Sequence, residues 1–243
     1  MMMTSSKVSL CGCSFCGNLH RRKRQKNQDA LKLKQYSFGC ILTVADGVGS
    51  QKYSRYGSRA VVLAVHQAFL EYVKGDIKRR QITQRITEMY RCNLPFKFAD
   101  QASTTCIFAA HIYNEGLYLG QIGDGICCFS INDSFSVLSK PNAEFTNIVR
   151  ALNTRNNAQW HTKFFSKEVC QKLHVVLTTD GISEDILPDR EKDFMQMIIK
   201  QTAFKSSAVA NLHLRQLQEH VFPAYAVDDK TIAAYSFAKI ISR

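Results

Sequence analysis

The stretch from Ser103 to Ile131 reads "STTCIFAAHIYNEGLYLGQIGDGICCFSI" and constrains the fold more than any other part of the chain. It is rich in β-branched and aromatic residues and is interrupted at "NEG" and "GDG", a pattern typical of short strands joined by tight turns. Because turns of two or three residues join only antiparallel neighbours, the stretch predicts consecutive hairpins and excludes parallel crossover units.

Helical patterns fall in blocks around this stretch. Apolar residues at helical spacing predict helices over Tyr53 to Val73, Gln81 to Cys92, Arg190 to Thr202 and Ser206 to Val221. The segment from Ser139 to Ser166 reads as irregular, "KLHVVLTT" as a buried strand and "DDKTIAAYSF" as a closing strand. Strands at both ends of the chain with helices in blocks between them predict an α+β sandwich and not a doubly wound sheet.

Length and composition favour one domain. With 243 residues, of which 45% are hydrophobic, the chain can bury a sizeable core, and we expect residues 1–243 to form a single domain. No apolar stretch approaches the roughly 20 residues needed to cross a bilayer, and the start "MMMTSSKVSLCGC" lacks the apolar core of a signal peptide. We therefore expect a cytoplasmic protein that does not act at a membrane.

The chain is basic, with a formal net charge of +12, part of which lies in "HRRKRQK", His20 to Lys26, and part in "KRR", Lys78 to Arg80. Such runs are usually solvated surface, and nucleic-acid binding is the competing interpretation. Single-stranded nucleic acid binders interleave aromatic residues with the cations, and "HRRKRQK" contains none. We therefore do not expect nucleic acid to be the partner.

Nine cysteines lie mostly in apolar stretches such as "TTCIF" and "GICCF", where a reduced thiol behaves as a small hydrophobe. The exception is "CGCSFCGNLH", in which Cys11, Cys13, Cys16 and His20 supply the ligand types of a zinc site. The Cys-x-Cys spacing is unusual and no second cluster completes a zinc ribbon. Whether these four residues bind metal stays open from the sequence.

Acidic corners recur along the chain. Asp46 in "VADGVGS", Asp124 in "IGDGICC" and Asp180 in "LTTDGISE" each follow an apolar run and precede glycine, and "AVDDKT" adds Asp228 and Asp229. One Asp-Gly pair is most simply a turn, but several at the ends of strands converge if those strands share an edge of the sandwich. Like charges that close require cations, and oxygen ligands without matching His or Cys favour Mg²⁺ or Mn²⁺. The pattern predicts a carboxylate-bridged metal pair that activates water for attack on phosphorus.

In the same order along the chain, "RQKNQDA", "VADGVGS", "STT", "GDG", "TTDGISE" and "DDKT" resemble the metal-dependent protein phosphatases of type 2C, most closely their compact bacterial branch. The resemblance implies a four-layer α-β-β-α sandwich of two antiparallel sheets flanked by helices, with the metal site at one edge. It implies that a metal-bound hydroxide hydrolyses phosphoserine and phosphothreonine in proteins, without a phosphoenzyme. It also implies two Mn²⁺ or Mg²⁺ ions with a third bound weakly, phosphorylated proteins as substrates, and a cognate Ser/Thr kinase. Under this resemblance "CGNLH" is part of an ordinary first strand.

The resemblance also implies roles for single residues. Asp46 would bridge both metals, with the Gly47 carbonyl as a further ligand of one. Asp180 and Asp228 would complete the shell of the other metal, and Asp29 would hold a metal-bound water.

Two residues near Asp29 would act on the substrate and the water. Arg24, five residues earlier, matches the arginine that clamps the substrate phosphate, a task suited to a planar bidentate donor; the alternative is one more solvated cation in a basic run. Gln28 stands where many members have glutamate, so it can orient a water but carries no charge.

A third metal would lie between Asp124 and Asp180, with Glu184 placed to join them. Asp229 follows a ligand aspartate and would support the turn. The segment of about 182–225, where the family varies a flap over the site, would set substrate choice.

One departure concerns the leaving-group acid. Eukaryotic members often have histidine after the first Asp-Gly, and here that residue is Val48. His20 and His161 are candidate substitutes, although a lone histidine is usually structural, and metal-bound water is the simpler acid. The main alternative function is a pseudophosphatase that binds phosphoproteins in a regulatory role; it predicts lost ligands, whereas the ligand aspartates are present.

Overall fold

A computed structural model describes residues 4–138, 151–154, 159–220 and 228–241. These residues form ten strands, six α-helices and two short 3₁₀ helices. The strands are β1 Thr4–Phe15, β2 Ala30–Tyr36, β3 Gly39–Ala45, β4 Cys106–Ile112, β5 Gly116–Ile122, β6 Ile126–Ile131, β7 Ser134–Val137, β8 His161–Ser166, β9 Lys172–Thr178 and β10 Lys230–Ile241. The helices are α1 Asn18–Arg22, α2 Ser54–Lys74, α3 Ile82–Asn93, α4 Asp180–Ser183, α5 Glu191–Thr202 and α6 Ser207–His220, and the 3₁₀ helices are Arg79–Gln81 and Phe96–Gln101.

The strands form two five-stranded sheets, in the orders β1-β10-β9-β6-β7 and β2-β3-β4-β5-β8. Every paired neighbour is antiparallel. Helices α2 and α3 cover the outer face of the second sheet, and α5 and α6 cover the outer face of the first. The predicted α-β-β-α sandwich is confirmed.

Side chains of each central strand alternate between two hydrophobic layers. On β3, Leu42 and Val44 pack between the sheets, whereas Ile41 and Ala45 pack under α2. Both sets are fully or almost fully buried because the sheet is covered on both faces. The strands are therefore rigid supports for the loops at their ends.

The predicted run of hairpins is correct for β4 and β5 and wrong for β5 and β6. Strand β6 pairs with β9 and β7, so the chain leaves one sheet and enters the other at "GDG". Gly123 and Gly125 flank this crossing with φ of 90° and 86°, the left-handed region that favours glycine. A turn motif specifies a local reversal but not the sheet to which the next strand belongs.

Two further expectations need correction. The end of the segment expected to be irregular, His161–Ser166, is a strand, because it pairs with β5. Residues 139–150 and 155–158 of that segment lie outside the described part. "CGNLH" is not in the first strand, because β1 ends at Phe15 and Asn18–Arg22 is one turn of helix.

The four longer helices begin and end within one or two residues of the predicted bounds, and Val221 lies outside the described residues. Within the described ranges, no helix combines the length and the apolar composition needed to span a membrane.

Candidate metal centre

The acidic corners of both sheets meet at one edge of the sandwich. Asp46 follows β3, Asp180 begins α4 directly after β9, and Asp228 precedes β10. The negative charges of Asp29, Asp180 and Asp228 all act on the Asp46 carboxyl, and those of Asp124 and Asp228 act on Asp180. Carboxylates from five separate loops are therefore neighbours in space.

Asp29 and Asp46 form the most buried part of this cluster. Asp29 is 5% exposed, and its Oδ2 accepts a hydrogen bond from Thr179 Oγ1 at 2.8 Å. Its Oδ1 is buried and accepts no hydrogen bond from an N–H or hydroxyl group, but the Asp29 and Asp46 carboxyls lie close enough to share a proton when no cation is bound. Burial raises the pKa of both carboxyls, and the charge of Asp29 raises that of Asp46 further. A carboxylate oxygen that is desolvated and lacks an N–H or hydroxyl donor suits a cation, so the residues fit a metal at this point.

Asp180 faces the same cluster from the first turn of α4. Its Oδ1 accepts the Gly181 N–H at 2.8 Å. Burial, followed by the charges of Asp124 and Asp228, raises the pKa of Asp180 to about 7. Glu184, one turn further along, is exposed and adds a smaller contribution of the same sign. In the absence of cations the neighbouring carboxylates thus disfavour one another's ionised forms.

The backbone of Asp46 is held by two threonines that precede β4. The Asp46 carbonyl accepts the Thr105 N–H at 2.8 Å and the Thr104 hydroxyl at 2.6 Å. The next residue, Gly47, packs against the first turn of α2, where a Cβ would lie 2.6 Å from backbone atoms of Ser54. Only glycine fits there, so the carbonyl of Gly47 is positioned by packing as well as by hydrogen bonds.

Gln28 is fixed from three sides. Its Oε1 accepts the Ser54 hydroxyl at 2.8 Å, and its carbonyl accepts the Ser58 hydroxyl at 2.5 Å. Its N–H donates to Asp229 Oδ2 at 2.6 Å. The amide at position 28 therefore has a defined orientation beside Asp29.

Asp229 lies behind the acidic cluster. Its side chain is fully buried, and its two oxygens accept the N–H groups of Gly17 and Gln28, both at 2.6 Å. It joins the end of β1 to the loop that carries Gln28 and Asp29.

Arg24 is exposed, on the loop after α1. Its φ of 55° is left-handed, and the Gln25 N–H donates to the His20 carbonyl across it. Glycine is usual at this position after a helix, so arginine costs about 1 kcal/mol of backbone strain. Strain of this kind is often found at functional residues.

Four supporting residues were not assigned roles from the sequence: Thr104, Thr179, Ser54 and Ser58. The sequence carried a signal for the serines, because they lie one turn apart on the otherwise apolar face of the predicted helix. In the structure they are 1% and 0% exposed. The threonines stand beside the acidic corners in "STT" and "TTDG", where polar β-strand ends are easily taken for simple strand residues.

A sequence model described as Protein phosphatase 2C matches residues 16–219. The chain belongs to the protein phosphatase 2C family, the metal-dependent serine/threonine protein phosphatases. No curated protein sequence matches it.

Solved structures with the same fold include bacterial phosphatases. The catalytic domain of the serine/threonine phosphatase PstP, in complex with two manganese ions, is 16% identical, with 96% of this chain and 100% of that chain covered and a TM-score of 0.64. PppA of Pseudomonas aeruginosa is 16% identical over 98% of this chain and 100% of its own, with a TM-score of 0.66. RsbX in complex with magnesium is 12% identical over 98% and 100%, with a TM-score of 0.61.

Proposed function

We propose that this chain hydrolyses phosphoserine and phosphothreonine in proteins with the carboxylates at the edge of the sandwich as its metal ligands. The observation that carries the proposal is that the charges of Asp29, Asp180 and Asp228 all act on the buried Asp46 carboxyl, next to a buried oxygen of Asp29. In this role Asp46 would bind both ions. The Gly47 carbonyl would bind one of them and Asp29 would hold a water on it, while Asp180 and Asp228 would bind the other.

The donor set consists of oxygen atoms, which suits Mn²⁺ or Mg²⁺. When bound, such ions supply Lewis-acid activation of a water for in-line attack on phosphorus. PstP was solved with two manganese ions and RsbX with magnesium, which supports the same choice here.

The remaining steps fall to residues around the centre. Arg24 binds phosphoryl oxygens through two parallel hydrogen bonds, which a guanidinium can donate and a lysine cannot. Gln28, held by Ser54, orients a water without adding charge. Asp124 and Glu184, whose charges act on Asp180, would hold a weaker third ion together with it. Val48 has no titratable group, so we assign the proton for the leaving oxygen to water, with His20 and His161 as the alternative donors.

We further propose that the substrates are phosphoproteins of a cognate Ser/Thr kinase in the cytoplasm, that residues 1–243 act as one domain, and that the segment of about 182–225 selects among substrates. Nucleic acid is not part of this proposal. Helices α5 and α6 make up most of that segment and pack on the first sheet, and residues 221–225 lie outside the described part.

The test is metal dependence on a phosphothreonine peptide. Activity should disappear after treatment with EDTA and return with Mn²⁺ or Mg²⁺, but not with Ca²⁺, whose larger and looser coordination positions a water poorly. Full activity in metal-free buffer would contradict the proposal. Tight phosphopeptide binding by the metal-loaded protein without any turnover would favour the pseudophosphatase instead.

A further inference from the structure

A second cluster of metal-ligating side chains lies next to the carboxylate centre but contains different chemistry. Cys16 follows β1, His20 lies on α1, and Asp229 precedes β10. One ligand atom from each of the three lies within 4.8 Å of the others. Residues 16 and 229 are far apart in sequence, and the full-length pairing of β1 with β10 brings them together.

The contact between His20 and Asp229 has an unusual geometry. The Nδ1 of His20 lies 2.9 Å from Oδ2 of Asp229, yet this nitrogen is buried and makes no hydrogen bond. His20 as a whole is 9% exposed. A buried imidazole nitrogen that makes no hydrogen bond and lies beside a carboxylate is available to coordinate a metal ion.

The carboxylate of Asp229 can still bind a metal ion although both of its oxygens accept hydrogen bonds. Each oxygen accepts one backbone N–H, from Gly17 and from Gln28, and a carboxylate oxygen has two lone pairs. Those N–H groups fix the carboxylate in place, as hydrogen bonds to metal ligands commonly do. The site is therefore preorganised on the side of Asp229.

The other two cysteines of the early motif do not take part. Cys11 and Cys13 are 2% and 7% exposed and pack in the layer between the first sheet and α5 and α6. Cys11 Sγ donates to the Ala234 carbonyl. Of the four candidate zinc ligands in "CGCSFCGNLH", only Cys16 and His20 therefore remain. Asp229, which is distant in sequence, lies beside them.

We propose that Cys16, His20 and Asp229 bind one Zn²⁺ ion, with a water in the fourth position. Thiolate and imidazole select zinc over Mg²⁺ and Mn²⁺, which prefer the all-oxygen centre nearby. On binding, the sulfur–zinc bond forms as the thiol releases its proton to solvent. The ion ties α1, and the Arg24 loop after it, to the turn that carries Asp228. The assignment concerns binding and does not depend on the proposed catalytic roles.

The decisive experiment uses Co²⁺ as a spectroscopic probe for zinc on the full chain. The protein is stripped with EDTA, loaded with excess Mn²⁺ to fill the carboxylate centre, and titrated with Co²⁺. A near-ultraviolet sulfur-to-cobalt charge-transfer band should appear, saturate at about one equivalent as a single three-ligand site requires, and vanish when Zn²⁺ is added. An oxygen-only site gives no such band, so a wild-type protein without it would overturn the proposal.

Matched variants identify the thiolate. Cys16→Ser should lose the band and weaken zinc binding by more than about 100-fold, since loss of a ligand exceeds the 10–100-fold cost of losing an outer-shell partner. Cys92→Ser, at an exposed cysteine of α3, should change neither. A band retained in Cys16→Ser would overturn the assignment.

An alkylation assay covers the case in which Cys16→Ser does not fold. Zn²⁺ should slow the reaction of Cys16 with iodoacetamide in the wild-type protein by at least about tenfold, measured by peptide mass spectrometry, because coordination occupies the thiolate. Cys92 in the same sample serves as the internal control. Equal rates with and without zinc would show that His20 and Asp229 form a simple ion pair beside an unliganded thiol.

Discussion

The space between the two sheets and the acidic edge of the sandwich both bury ionisable groups, but they do so with opposite results. Between the sheets, His111 is 2% exposed and its Nδ1 lies 2.7 Å from the Tyr235 hydroxyl. Burial lowers the pKa of His111 to about 4, so the neutral form is favoured and is also hydrogen-bonded. At the edge, burial raises the pKa of Asp29 and Asp46, yet one Asp29 oxygen accepts no hydrogen bond from an N–H or hydroxyl group.

The difference separates a region built for stability from one built for a ligand. A neutral buried histidine that is hydrogen-bonded to another side chain needs no ligand to satisfy its polar atoms. Clustered carboxylates repel one another, which destabilises the protein when no cation is bound. A cation that binds them in the folded state would stabilise it.

Asp46→Asn should have the largest effect, because it changes the most buried part of the acidic edge. Turnover of phosphopeptide should be abolished, because the bridging charge is lost with little change in volume. The same change should raise the free energy of unfolding of the metal-free protein by about 1 kcal/mol or more at pH 7, since it removes a carboxyl whose ionised form is disfavoured by burial and by the neighbouring carboxylates. Urea denaturation in EDTA measures this, with Asp76→Asn, at an exposed aspartate after α2, as the control.

A rate close to that of wild type in Asp46→Asn would reduce Asp46 to a turn residue. If Asp46→Asn is less stable than wild type without metal, repulsion among the carboxylates at the edge does not destabilise the metal-free protein.

Asp124→Ala should separate the third ion from the core pair. The maximal rate should fall by roughly 10–100-fold, whereas calorimetry should still detect the two tight metals, because Asp124 lies on the crossing between sheets and its charge acts on Asp180. Loss of the tight metals would contradict this division.

Arg24 offers a case in which activity and stability should move in opposite directions. Arg24→Ala should raise the Michaelis constant for phosphopeptide by about tenfold, and the loss should persist in high salt because a bidentate contact is screened little. Arg24→Gly should lose as much activity but gain about 1 kcal/mol of stability, because glycine accepts the φ of 55°.

Arg21→Ala and Lys23→Ala are the matched controls, since both residues are exposed in the same basic run. They should have small effects that vanish in high salt. Equal, salt-sensitive losses at all three positions would indicate a diffuse anion-attracting surface.

The smallest effect on phosphatase activity should come from the buried histidines, whose titration changes stability and not turnover. Burial lowers the pKa of His111 and His174 from 6.5 to about 4, so between pH 6.5 and 4 the unfolded chain binds protons that the folded chain does not. Stability should therefore fall as the pH drops through this window and be fully present above it. Up to about 2 kcal/mol per histidine should be lost by pH 5.

His111→Asn and His174→Asn retain a polar atom near Nδ1 but cannot titrate. Urea denaturation of each variant should show a weaker pH dependence than wild type, with phosphatase activity at pH 7 unchanged. A pH dependence equal to that of wild type would place the acid sensitivity elsewhere.

The sequence was most informative where function and local structure coincide. Each acidic corner needs a strand, a carboxylate and a turn within a few residues, so Asp46, Asp124 and Asp180 could be found by pattern. The antiparallel class followed from short turns for the same reason.

Long-range pairing could not be predicted in this way. The transfer of β6 to the opposite sheet depends on which strand buries it, and "GDG" is compatible with a hairpin as well. Likewise, the bond from Thr179 to Asp29 spans 150 residues, and the approach of Asp229 to Cys16 depends on the register between β1 and β10. No local spacing encodes these contacts.

The position of β10 has a consequence for how the molecule is made. This strand is the last in chain order, yet it lies between β1 and β9, and the register runs from Thr4 opposite Ile241 to Phe15 opposite Lys230. During synthesis, β1 must wait with an unpaired edge until more than 200 residues have followed it, and such distant pairing makes folding slow. Asp228 and Asp229 emerge from the ribosome just ahead of that strand. Both proposed metal sites need a residue of this turn, so we expect neither site to form before the turn has been synthesised.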